Sequence, residues 1–345
     1  MSERLAAHSS AQLATWRLPS GPARAITDVP GVLVGHATVV DASRGVATGV
    51  SVVVPPEIED RALPAACHVI NGYGKSSGLV QIDELGTLES PIAFASVFAV
   101  AAVQDALLRR RLATDPTVGG ARGGRSVNLA VLECNDAGLN DPRENRCGEE
   151  ELADALAAAG KGPVAQGTVG AGTGMSTFGL SGGFGTASRV FGSGGRDHRS
   201  YHLGAALVSN FGRWGDLTIG GQLVQPNHEV PGVDAPDGSV VIVVATDAPF
   251  DSATLRRVCV RAQNGLARTG CLTAHGSGEL VVAFSTARES VRTPDPELLN
   301  EAFRAVAEAV EEAVLSGLAH AEPVTGREGR RLPVLRDLTS EPHDR

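Results

Sequence analysis

Residues 240–245 read Val-Val-Ile-Val-Val-Ala, an apolar run without polar alternation. A strand with one wet face alternates in polarity, so a run of this kind must be covered on both faces. The chain therefore has to place a layer above this strand and another below it. Val32–Val40 and Gly49–Val54 are β-branched runs bounded by glycine and proline, which predicts two strands. Pro91–Leu112 opens with small apolar residues and continues as a helix with Val100, Val103, Ala106 and Leu107 on one face. Ser126–Leu132 predicts a strand, and Glu149–Ala159 a helix whose acidic first turn suits the helix dipole. Tyr201–Asn210 and Trp214–Leu223 are expected as strands. Asp251–Arg268 is expected as a helix with Leu255, Val258, Cys259, Ala262 and Leu266 along one side. Leu280–Phe284 follows as a strand and Glu297–Leu318 as a long helix. Strands and helices thus come in blocks rather than in strict alternation. That favours a layered α+β fold, an αββα sandwich of two sheets flanked by helices, over a doubly wound parallel sheet.

The glycine-rich stretch Gly167–Gly195 contains Gly170, Gly172 and Gly174, but no helical period follows them. A dinucleotide-binding reading is therefore rejected. Close-packed turns and hairpins, or a functional loop, are the two readings left. The net charge of −9 and the lack of a basic stripe argue against nucleic acid or an anionic membrane as partner. Arg109–Arg110–Arg111 reads as the last turn of a helix rather than as a binding patch. The five cysteines form no CxxC and are odd in number, which predicts reduced thiols, no metal site and a cytoplasmic setting. No cofactor is expected. No apolar stretch is long enough for a transmembrane helix.

The chemistry concentrates where the buried strand begins. Proline stands at 226, 231 and 236 in the loop Gln225–Gly238, and Ser239 follows directly. Asp237–Gly238–Ser239 alone is ordinary turn text. Its position is what singles it out: a serine at the first residue of a rigid strand is well fixed, and the loop ahead of it can be displaced. Such a hydroxyl can attack the preceding carbonyl, shift the acyl group from nitrogen to oxygen, and leave an ester for water to hydrolyse. The new chain would begin with Ser239, whose free amine, with a reference pKa of about 7.7–8.0, can accept the hydroxyl proton. Downstream, Ser277 and Glu279 are two residues apart, so an extended segment puts both on one face, where they can form a relay; an ordinary polar turn is the alternative. His275 reads as a structural donor.

The chain resembles the DmpA-like L-aminopeptidase/D-esterase-amidase family, which includes the β-peptidyl aminopeptidases. The resemblance rests on ITDVPGVLVGHATV (Ile26–Val39), GVATGVSVVVP (Gly45–Pro55), HVINGYGKSSGL (His68–Leu79), SPIAF (Ser90–Phe94), GTVGAGTGMSTFGLSGGFGTASRV (Gly167–Val190), DGSVVIVVATDAP (Asp237–Pro249), GLARTG (Gly265–Gly270), HGSGE (His275–Glu279) and AFSTA (Ala283–Ala287). It implies one αββα hydrolase domain over residues 1–345, cut between Gly238 and Ser239 into chains 1–238 and 239–345. It further implies assembly of these αβ units into a homotetramer and action on small peptides, amides or esters with a free amine. By the same resemblance Ser239 is the nucleophile, Ser277 and Glu279 the relay, Asn210 an oxyanion donor, and Glu133 the receiver of the substrate's amine. Where family members often carry an aromatic residue, this chain has Gly138; Tyr73 is the candidate substitute in the pocket. Two other readings stand beside this one. Ornithine acetyltransferases have a related fold but cleave before threonine, and a catalytically silent relative would stay uncut.

Overall fold

The computed structural model describes residues 13–120, 124–144, 147–192, 199–224, 238–289 and 294–339. The proline-bearing loop expected over 225–238 lies outside them except for Gly238, as do residues 193–195 of the glycine-rich stretch. Two sheets carry the fold. Strands β1 (Leu33–Asp41), β2 (Val46–Val54), β5 (Ile92–Ser96) and β6 (Ala130–Cys134) form a four-stranded sheet in the order β1-β2-β5-β6. Strands β3 (Leu63–Gly72), β4 (Thr87–Leu88), β9 (Phe184–Phe191), β10 (Tyr201–Asn210), β13 (Ser239–Thr246) and β14 (Gly278–Ser285) form a six-stranded sheet in the order β4-β3-β14-β13-β10-β9. Helix α1 (Leu79–Leu85) links β3 to β4. Helices α2 (Val100–Thr114) and α3 (Glu149–Ala157) cover the smaller sheet, and α4 (Ser252–Arg268) and α5 (Pro296–Ala319) cover the larger.

Three cores separate the four layers. Val53, Phe94, Leu132, Phe184, Val208, Val241 and Val243 fill the space between the sheets. Val240, Ile242 and Val244 pack instead with Val258, Ala262, Val306 and Val310 of α4 and α5. Val50, Val52, Val103, Leu107 and Leu152 close the outer side of the smaller sheet. All eight residues of β13 are buried, as its unbroken apolar text requires. Each fully buried Val or Ile there stabilises the fold by roughly 1.5–3 kcal/mol.

The helices begin where their caps dictate. Asp251 accepts a hydrogen bond from the Thr254 N–H at 2.9 Å, and Asp295 from the Glu297 N–H at 3.1 Å with Pro296 in the first turn of α5. The expected strand Trp214–Leu223 is not formed as such. Gly220 and Gly221, at φ 59° and 79°, turn the chain back, so it makes only the short hairpin β11 (Thr218–Ile219) and β12 (Gln222–Leu223). The strand expected over 126–132 runs from Ala130 to Cys134, which brings Glu133 inside it. The glycine-rich stretch resolves into a 3₁₀ turn at Gly170–Gly172, the hairpin β7 (Ser176–Thr177) and β8 (Leu180–Ser181), and β9. In the basic triplet, Arg109, Arg110 and Arg111 each hold a carboxylate, those of Asp105, Glu59 and Asp115. Among the described residues no helix is long and apolar enough to cross a membrane.

Candidate active site

Three adjacent strands bring the first group of candidates together. Ser239, the first residue of β13, pairs antiparallel with Asn210, the last residue of β10. On its other side it pairs in parallel with Gly278, the first residue of β14. Neighbouring strands lie about 4.8 Å apart, so Asn210 and Gly278 flank Ser239 at one end of the sheet. The Gly278 N–H donates to Ser239 Oγ at 3.3 Å, and the side chain is only 5% exposed. The Ser239 carbonyl accepts from the Cys134 thiol at 3.2 Å, which ties β13 to β6 of the other sheet.

Gly238 has a steric role of its own. A Cβ there would overlap the carbonyl oxygen of Asn210 and crowd Phe211 Cα. The glycine before Ser239 is thus required by the close approach of β10. Asn210 is itself oriented by the glycine-rich segment: its Oδ1 accepts from the Ser176 N–H at 2.8 Å. That bond directs the amide oxygen to the backbone, so the NH2 end is the one left to donate.

Ser277 and Glu279 meet as their spacing predicts. Ser277 Oγ donates to Glu279 Oε1 at 2.9 Å, and both residues are buried. The alternation of the sheet adds a finding that spacing alone does not give. Val241 and Val243 share Ser239's face and pack between the sheets, whereas Val281 and Ala283 share Glu279's face and pack toward the helices. The Ser277–Glu279 pair therefore lies on the opposite face of the sheet from the Ser239 side chain. The two faces meet at the end of β13, where the Ser239 nitrogen sits. His275 lies outside this pair, among residues lining a cavity of about 240 Å³ with Arg213, Asp216, Ser277 and Glu279.

Glu133 occupies β6 beside Cys134 and is 2% exposed. Its Oε1 accepts from the Lys75 N–H at 2.7 Å, its own N–H is held by Ser76 Oγ at 3.0 Å, and among the described residues its Oε2 is buried without a partner. Burial is the main influence on the carboxyl and pushes its pKa up; the Lys75 N–H and ammonium oppose that shift, and Asp136 reinforces it. The segment 73–75 links the two halves of the site. Gly74 lies against Gly278, the strand partner of Ser239, and also close to Glu133 Oε1. Tyr73 stands at the rim, 59% exposed, with its ring 6.4 Å from that of His275 and 4.9 Å below the Lys75 ammonium. Gly138 is exposed, and a Cβ there would meet nothing within 4 Å, so the backbone does not demand glycine at this position.

Several participants escape the sequence. The Gly278 N–H, the Cys134 thiol and the backbone of Lys75 act through strand register, which no local motif reports. Asp136 binds Thr48 Oγ1 at 2.6 Å and Ser96 Oγ at 2.7 Å, and so fixes the chain just beyond Glu133 to β2 and β5. The ECND text carries that residue, but only the fold shows what it holds. Cys134 is a hydrogen-bond donor rather than a nucleophile, because full burial raises its pKa well above the usual thiol value.

Comparison with known proteins places this geometry in context. The model of peptidase family S58 matches residues 24–332, a span that includes every residue of the site. The chain is 34% identical to the beta-peptidyl aminopeptidase BapA of Sphingosinicella microcystinivorans, with 91% of this chain and 86% of that protein covered. The solved beta-aminopeptidase of a Burkholderia species superposes with a TM-score of 0.86 at 34% identity, covering 95% of each chain. The L-aminopeptidase D-Ala-esterase/amidase of Ochrobactrum anthropi, described as a variant of the Ntn hydrolase fold, superposes with a TM-score of 0.86 at 30% identity, covering 96% of this chain and 97% of that one.

Proposed function

The chain belongs to peptidase family S58 and is a hydrolase of the aminopeptidase and amidase class, and from that premise we propose that it matures by breaking its own Gly238–Ser239 bond and then works through Ser239 as an N-terminal nucleophile. The observation that carries this reading is the register Asn210–Ser239–Gly278, which holds a buried serine between an amide side chain and a backbone donor at the tip of a rigid strand. In maturation Ser239 Oγ attacks the Gly238 carbonyl carbon, the C–N bond breaks as the acyl group moves to oxygen, and water hydrolyses the ester. The products are a carboxylate on Gly238 and a free amine on Ser239.

In turnover the neutral amine takes the Oγ proton, Oγ attacks the substrate carbonyl, and the departing amine leaves with a proton. Water then releases the acyl group. The Asn210 NH2 supports the oxyanion, and the Ser277–Glu279 pair, reaching Ser239 around the strand end, orients the amine. Glu133, with its unpartnered Oε2, receives the substrate's ammonium, so the substrates are short peptides, amides or esters with a free amino terminus. Carrying the resemblance further, these αβ units assemble as a homotetramer in the cytoplasm, which light scattering on the purified protein tests.

A denaturing gel with N-terminal sequencing tests the central claim. Two bands are expected, the smaller beginning at Ser239, while Ser239→Ala stays in one piece and inactive. Fresh, active protein of full length would overturn the proposal.

A further inference from the structure

Glu279 is wholly buried, and its contacts are uneven. Both hydrogen bonds to its carboxylate end on Oε1: one from Ser277 Oγ at 2.9 Å, the other from Cys271 Sγ at 3.5 Å. Among the described residues Oε2 is buried and has no partner. The two donors come from different places. Ser277 immediately precedes β14, whereas Cys271 lies in the turn after α4, in the helix-side core. That turn is itself anchored. Gly270 adopts φ 96° against the Asp216 carbonyl, and the Cys271 N–H donates to the Leu266 carbonyl at 3.3 Å. Burial and the neighbouring Glu279 charge push the Cys271 thiol up to about 12, so at neutral pH it is an S–H donor and not a thiolate. Arg213, Asp216 and His275 line the adjoining cavity, but neither of the donors to Oε1 comes from them.

We propose that Cys271 is a positioning residue for the reaction: its thiol pins Oε1 of Glu279, and the pinned carboxylate holds the Ser277 hydroxyl in one orientation. The inference rests on the relay reading given above. A carboxylate clamped by a single donor can rotate about its last torsion, and Ser277 would rotate with it. A second donor from another element removes that freedom. The contact acts on turnover and not on substrate affinity, since Cys271 lies on the helix side of the sheet while Glu133 stands on β6 of the other sheet.

Three variants test this: Cys271→Ala, Cys271→Ser and Glu279→Gln. In Cys271→Ala we expect kcat on an amino-acid p-nitroanilide to fall by about tenfold, with KM unchanged and self-cleavage slowed; hydrogen bonds to charged groups are of that order, and a thiol is a weak donor. Cys271→Ser keeps a donor and should stay within about threefold of wild type. Wild-type kcat in Cys271→Ala, beside loss of activity in Glu279→Gln, would overturn this inference alone. Full activity in Glu279→Gln would overturn the relay, and this inference with it. The infrared S–H stretch of Cys271, isolated by difference against Cys271→Ser, needs no turnover. It should shift in Glu279→Gln, and an unmoved band would overturn the contact.

Discussion

In the proposed reaction, Glu133 is the residue at which recognition and electrostatics would meet. A buried carboxylate with one unpartnered oxygen suits a substrate ammonium, and such a charge-assisted contact is worth roughly 1.5–3 kcal/mol. Glu133→Gln should therefore lower kcat/KM on a free-amine substrate by about one to two orders of magnitude and erase the preference over the N-acetylated substrate. The pH dependence has a definite sign. Only the ionised form attracts the ammonium, and burial raises the pKa of this carboxyl. The acid limb of kcat/KM should thus set in at a higher pH than for an ordinary glutamate, and it should vanish in Glu133→Gln. If that variant keeps the limb, the titrating group is another residue. Gly238 makes a second demand on a single position. Gly238→Ala drives a methyl group into the Asn210 carbonyl, so self-cleavage followed on a gel should slow severalfold or more, and the melting temperature should fall.

At the scale of elements, β9 and α5 lie so close that Gly185 has no room for a side chain; a Cβ there would overlap the Ala313 carbonyl. Gly185→Val should cost about 1–3 kcal/mol or more in urea unfolding, by forcing the helix off the sheet, while a stability equal to wild type would show that the helix can slide. The same pair of elements marks where the sequence could be read and where it could not. The apolar face of α4, the long helix α5, the buried strand β13 and the meeting of Ser277 with Glu279 follow from periodicities of a few residues. Glu308, Glu311 and Glu312 do not. An amphipathic pattern puts such carboxylates in water, yet all three are buried. Their partners, Arg189 on β9, Arg24 and Arg268, come from other elements, and Arg189 and Arg24 stand more than a hundred residues away in sequence. Strand β3 and helix α1 carry no clear local signature either. Leu63–Gly72 carries His68 and Asn71 among its apolar residues, and α1 is only seven residues long. The paired glutamate and serine were legible in the site, but the Gly278 and Cys271 contacts depend on register and on a turn placed by tertiary packing.

For the whole molecule, this buried ionic network predicts how stability responds to charge. Arg189 is wholly buried, bonds Glu308 at 3.1 Å and Glu312 at 2.5 Å, and lies over the Trp16 ring. Arg189→Met leaves Glu308 without a cation among the described residues, and unfolding measurements should show a loss of about 3–5 kcal/mol. Glu311 behaves differently. Burial raises its pKa from 4.5 to about 7, against the pull of Arg268 and with the repulsion of Glu308 added. The folded state then binds a proton that the unfolded state has released, so this group's contribution to stability falls as pH rises from about 4.5 through about 7. Glu311→Gln should flatten that slope. An unchanged slope would place the titration elsewhere.

The proposed cut falls between strands of one sheet, and that has a consequence for how the mature protein comes apart. β13 and β14 would belong to the smaller fragment, yet β13 lies between β14 and β10, and β14 lies against β3; β10 and β3 belong to the larger fragment. The larger fragment keeps the four-stranded sheet and the core on its outer side, but neither piece alone retains the six-stranded sheet or the core between the two sheets. Before the cut, folding is a first-order event on one chain. After it, any return from the unfolded state is an encounter of two chains and depends on their concentration. Folding of the uncut Ser239→Ala chain should proceed at a rate independent of dilution up to the step of subunit assembly, whereas refolding of the cleaved protein should already depend on dilution at the pairing of its two fragments. Once cut, its lifetime would be set by the barrier to unfolding and no longer by the equilibrium that first assembled it.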